Sequence, residues 1–130
     1  MSKVKLILSV VLLAAVFGCT KNAGEGGSSS IIGKVFVENY NAAGILQESY
    51  YGPEEDVFII YGNASNTYDD DFKTSFDGSY KFEYLAKGEY TVFAYSECDD
   101  CESGVEVVSQ TVTINENKTE FELPDLVVRR

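Results

Sequence analysis

The sequence predicts an all-β fold, a Greek-key β-sandwich of seven to eight strands that follows a signal peptide and a flexible tether. Three observations predict it. From Ile31 onward the apolar residues recur with a period of two, as on a half-buried strand. No window of twelve or more residues carries a helical stripe. Turn signals punctuate the chain at Asn41 to Gly44, Gly52-Pro53, Gly62-Asn63, Asp77-Gly78, Lys87-Gly88, Ser103-Gly104 and Asn115 to Asn117.

Residues 1–18 have the form of a signal peptide. Met1 to Lys5 is a short basic region, and Leu6 to Phe17 is an uncharged apolar run, short of the ~20 residues a membrane-spanning helix needs. Val16-Phe17-Gly18-Cys19 resembles the lipobox of bacterial lipoproteins. That resemblance implies cleavage before Cys19, a diacylglycerol on its thiol and a further acyl chain on its freed amine. Several chains hold where one is marginal, since each buried methylene adds ~0.8 kcal/mol. The expected partner of Cys19 is therefore the membrane, and the expected location is the cell envelope, anchored to the outer membrane, with either face open. Residues 19–31 then form the lipidated cysteine and a tether rich in Gly24, Gly26, Gly27 and Ser28 to Ser30. A Gly/Ser coil of about a dozen residues averages roughly 20 Å end to end.

Residues 32–130 form the expected sandwich domain. Tyr80, Phe82 and Tyr84 alternate with Lys81 and Glu83; Tyr90, Val92 and Ala94 alternate with Thr91, Phe93 and Tyr95; Phe121 and Leu123 alternate with Glu120 and Glu122. Strands are expected near 32–38, 45–51, 56–61, 72–76, 79–85, 89–96, 104–114 and 119–128. The order Gly33-Lys34-Val35, Val57-Phe58-Ile59, Asp77-Gly78-Ser79-Tyr80-Lys81-Phe82 and Leu85-Ala86-Lys87-Gly88-Glu89-Tyr90-Thr91-Val92 resembles the carboxypeptidase regulatory-like domains, which are transthyretin-like (prealbumin-like) sandwiches. The resemblance has a structural cause: Asp77-Gly78 supplies a tight hairpin turn with positive φ, and Tyr80, Phe82, Leu85, Tyr90 and Val92 supply one core. It implies architecture and not activity. The related collagen-binding B-type modules carry a Lys–Asn isopeptide bond, which would here join Lys34 to Asn115 or Asn117. Strand parity opposes it, because Val35 and Val37 facing inward turn Lys34 outward.

Charge and residue types narrow the function. The chain carries 10 basic and 21 acidic residues, a net charge of −11. Loss of Lys3 and Lys5 with the signal peptide would leave 8 basic residues against the 21 acidic ones, a net −13. Without a basic face, nucleic acid is not an expected partner. There is no histidine, which removes the commonest general base, the Ser-His and Cys-His arrangements and the commonest zinc ligand. The carboxylates sit in turn segments such as Glu54 to Asp56, where solvation keeps them ordinary, so no enzyme and no cofactor is expected. Asp69, Asp70 and Asp71 offer oxygen ligands for Ca²⁺, although their spacing does not match an EF-hand loop.

The remaining candidates are rings and thiols. Tyr40, Tyr50 and Tyr51 lie in the long Glu38–Asp56 segment, outside the core positions of the resemblance, and tyrosine is common at contact surfaces. With Cys19 assigned to lipid, Cys98 and Cys101 remain to form a disulfide in an oxidising compartment. Thiol catalysis is disfavoured there by Glu97, Asp99, Asp100 and Glu102, and a zinc site would need ligands from a second molecule. Two functions follow. The first is a membrane-anchored structural or protein-interaction module with an envelope-protein partner. The second is a small-ligand or glycan-binding lipoprotein beside envelope uptake machinery.

Overall fold

The computed structural model describes residues 23–62 and 67–130; the expected signal peptide, the Cys19 anchor and the first tether residues lie outside them. Two sheets face each other. β1 (Glu25–Tyr40) is the central strand of the first, and β2 (Leu46–Tyr51), β5 (Ser79–Leu85), β8 (Glu120–Glu122) and β9 (Leu126–Arg129) pair with it. The second sheet has the order β4 (Asp70–Lys73), β3 (Asp56–Tyr61), β6 (Gly88–Glu97), β7 (Val105–Ile114).

β1 is long enough to be flanked twice along each edge. Val35 donates its N–H to Gly78 and accepts from Gly52, so β5 and β2 follow one another on one side. Ile32 accepts from Leu123 and Glu38 from Arg130, so β8 and β9 follow one another, parallel to β1, on the other. In the second sheet β3 and β6 pair antiparallel although β4 and β5 separate them in sequence, the return of a Greek key. Alternate residues of both sheets point inward. Ile31, Val35, Val37, Val57, Ile59, Phe82, Leu85, Val92, Leu126 and Val128 are buried, with Tyr80 and Tyr90 the largest fully buried side chains.

Four expectations are corrected. The segment 25–31 is strand and not tether: Ser29 is buried, its hydroxyl donating to Glu116 O, and Gly27 lies so close to the Leu85 carbonyl that no Cβ fits. The domain therefore begins near Ala23, which packs on the core, and not at residue 32. The strand expected over 119–128 is two strands, because Pro124 offers no N–H and the chain bends at Leu123 to Asp125, giving nine strands in all among the described residues. Asp77-Gly78 makes the expected turn, with Gly78 at φ 79° and its N–H donating to Ser75 O, but β4 and β5 belong to opposite sheets, so the turn is a corner between sheets. Tyr84 leaves the core. Ser29 opposes Leu85 while Ile31 opposes Phe82, so three steps of β5 match two of β1; the bulge puts Tyr84 at φ 59° and turns its ring outward.

Candidate functional site: an aromatic outer face

A solvent-facing sheet normally carries polar residues at its outward positions. The second sheet does not. Phe58 on β3 lies directly opposite Phe93 on β6, and Tyr95 lies opposite Val107 on β7; all four are on the outward parity, since Val57, Ile59, Val92 and Ala94 fill the core. Phe58 stacks on Phe93 with centroids 5.2 Å apart and meets Tyr95 edge-on at 5.6 Å, and Phe93 meets Tyr95 at 5.7 Å. Tyr68, just before β4, closes on Phe58 from the far side at 4.6 Å. This packing hides Phe93, which is 7% exposed despite facing out, while Tyr68 and Tyr95 stay near half exposed. Val105 and Val107 extend the patch along β7, the edge strand, and Asp71, opposite Phe58, marks its acidic side.

The sequence contained a signal for this face. Val57 to Tyr61 and Val92 to Tyr95 are continuous apolar runs, which strands show when both faces are covered; an alternation-only reading assigns Phe58, Phe93 and Tyr95 to solvent.

The expected tyrosine site is not assembled. The Glu38–Asp56 segment is mostly strand, so Tyr50 and Tyr51 sit next to one another on β2 and point to opposite faces. Tyr51 packs edge-on against Phe36 at 5.2 Å, lies 4.8 Å from Lys34 Nζ and donates to Asp125 Oδ2 at 2.9 Å. Lys34 thus faces outward on a ring, as parity predicted. Tyr40 donates to Glu38 Oε2 and carries the Arg129 guanidinium 4.1 Å above its ring. The hydrogen bond to Glu38 raises the Tyr40 hydroxyl above its usual pKa, and that to Asp125 does the same for Tyr51. These contacts engage the Tyr40 and Tyr51 rings with their own chain.

The acidic run does not form a cation site. Asp70 and Asp71 are successive residues of β4 and face opposite ways, and Asp69 Oδ2 accepts from Tyr61 N–H. Among the described residues the one group of three converging ligand atoms is Cys98, Cys101 and Glu106, and both thiols are joined in the expected disulfide, Cα atoms 5.4 Å apart, in the β6–β7 loop. A groove of about 670 Å³ runs along the free edge of β5, over Phe72 and Phe82. Lys81 on its rim is already paired with Glu83 at 3.1 Å, and the aromatic face lies on the other side of the second sheet.

Searches of protein-family profiles and of curated proteins found no match. Among solved structures the chain is similar to a proposed carbohydrate-binding protein from Pseudomonas aeruginosa, at 15% identity, 83% coverage of this chain, 92% of that one and a TM-score of 0.46.

Proposed function

We propose that this chain is a lipid-tethered, non-catalytic module of the bacterial cell envelope that docks a protein partner on the outer face of its second sheet. One observation carries the reading: Phe58, Tyr68, Phe93 and Tyr95 cluster where a solvated sheet face would be polar, and apolar Val105 and Val107 continue the surface. Half-exposed tyrosines around a buried ring, with charge held to the margin, have the make-up of a protein interface core. Ring orientation favours protein over sugar. Tyr95 stands at 66° to Phe58 and 88° to Phe93, so the cluster offers an uneven surface and not a flat platform for stacking. The absence of histidine and the scatter of the carboxylates support a non-catalytic role.

The test is a double substitution, Tyr68→Ala with Tyr95→Ala, which removes the two exposed rings and leaves Phe58 and Phe93 in place. Cells are crosslinked and the tagged lipoprotein isolated. A defined partner recovered with the wild type and lost with the variant, at equal abundance and melting temperature, supports the reading; an unchanged partner refutes it. Retention on a glycan array that disappears with the same variant would move the function to glycan binding.

A further inference from the structure

We propose that the Ala23 end of the sandwich, presenting Tyr84, Lys87 and Lys118, rests on the lipid headgroups, so that the acidic disulfide loop points away from the membrane. The inference rests on the reading of Cys19 as the lipid anchor and adds an orientation to it. Its first support is length. Gly24 donates its N–H to Tyr90 Oη at 2.9 Å and accepts from Ala86 N–H at 2.8 Å, so the chain is clasped into the fold five residues after Cys19. Five residues span at most about 18 Å when fully extended and roughly 12 Å on average as a coil. The headgroup layer takes up much of that distance. The end of the domain that holds Ala23 is therefore kept at the membrane, whatever path the intervening residues follow.

The second support is what that end displays. It comprises the β5–β6 turn, since Ala86 bonds Gly24 and Gly88 lies against Ala23, and the β7–β8 loop, since Gly88 pairs with Ile114 and Lys118 N–H donates to Ser28 Oγ. Tyr84 is 70% exposed there, turned out by a left-handed backbone that a bulky residue rarely adopts. A ring with a polar tip suits the interfacial layer of a bilayer. Lys87 and Lys118 are exposed and form no ion pair among the described residues. Glu25, Asp69, Asp70, Glu89 and Glu116 lie at the same end, so it is net acidic in spite of the two lysines. Glu97, Asp99, Asp100 and Glu102 surround the Cys98–Cys101 loop, with Arg129 and Arg130 beside them, ten residues of β6 and so about 30 Å further on. Both ends are net acidic, so the short leash and not charge selects between them, and the contrast between the ends should be insensitive to salt. Tyr95 then stands roughly 23 Å from the headgroups, with the aromatic face side-on to the membrane and open to a partner.

The experiment uses the acylated full-length protein in vesicles of phosphatidylethanolamine and phosphatidylglycerol carrying a headgroup nitroxide. A fluorophore is attached at Lys87→Cys or, at the distal end, at Ala42→Cys. Severalfold stronger quenching at position 87 than at 42, unchanged by salt and reduced when twelve Gly/Ser residues are inserted after Asn22, is the expected result. Equal quenching at the two positions overturns the orientation, and a difference that survives the insertion undiminished overturns the short-leash argument. Mass spectrometry of the N-terminal peptide separates the two failures. Absence of acyl mass removes the anchor and the orientation together, whereas acylated protein with equal quenching removes the orientation alone.

Discussion

Tyr80 and Tyr90 are each 1% exposed, yet the same substitution should act on them in opposite directions. The Tyr90 hydroxyl accepts from Gly24 N–H at 2.9 Å and donates to Ala86 O, tying the start of β1 to the β5–β6 turn. Tyr90→Phe deletes both bonds and leaves two backbone groups without that partner. At about 1 kcal/mol for each lost bond, the variant should be destabilised by ~2 kcal/mol. For a domain of this size that is a fall in melting temperature of roughly 10 °C. The Tyr80 ring lies across Gly33, so close that a Cβ there would meet it, and its hydroxyl has no hydrogen-bond partner among the described residues. Burial pushes its pKa up, as expected for a phenol whose charged form is desolvated. Tyr80→Phe removes an unpaired polar group and should be neutral, or stabilising by up to about 1 kcal/mol. Thermal and urea unfolding, followed by circular dichroism, compares the two variants. If both lose the same stability, or if Tyr80→Phe loses more, hydrogen bonding does not distinguish these sites and the clasp at Gly24 is not what holds the strand.

Three further outcomes are expected. Gly78→Val should cost at least ~2 kcal/mol in urea titration, because φ is 79° and the new Cβ would lie 2.9 Å from Gly52 N and Tyr51 Cβ; a loss below ~0.5 kcal/mol would contradict the corner geometry. Reducing Cys98–Cys101 should lower stability by no more than ~2 kcal/mol, since the bond closes a four-residue loop that Cys98 N–H to Gly104 O already holds; a reduced form that does not fold would contradict this. The Asp77 carboxylate accepts from the Ser79 hydroxyl and N–H, which hold its pKa below the usual 3.8. Its contribution is present above that value and is lost as pH falls through the lower folded pKa, so the stability difference between wild type and Asp77→Asn, measured by thermal melts, should shrink in acid; a constant difference would refute the bond.

Period-two alternation made much of the fold legible, because an inward apolar set is what a two-sheet core demands. β3 and β5 fall at the expected residues 56–61 and 79–85. The Gly/Ser start of β1 was hidden for a physical reason: Gly27 and Ser29 are central-strand residues selected for close backbone approach and side-chain hydrogen bonding, and composition alone gives both residue types to tethers. The bulge at Tyr84 was hidden too, since alternation carries no sign of an extra residue. The aromatic face was written in the sequence, but as continuity. Phe58, Phe93 and Tyr95 break the alternation of their strands, and only the pairing of β3 with β6 shows that they meet. Tyr40, Tyr50 and Tyr51 share a segment outside the expected core positions, but that segment is largely strand, and a strand sends neighbours such as Tyr50 and Tyr51 to opposite faces.

The central claim is that the outer face of the second sheet is the docking surface, and site-specific photocrosslinking in living cells tests it most directly. A photoreactive residue replaces Tyr95 or Val107 on that face, or Ser49 on the outer face of the first sheet. Positions 95 and 107 should each give a discrete adduct with the same envelope protein, and position 49 none. An adduct from position 49 with none from 95 and 107 would contradict the account.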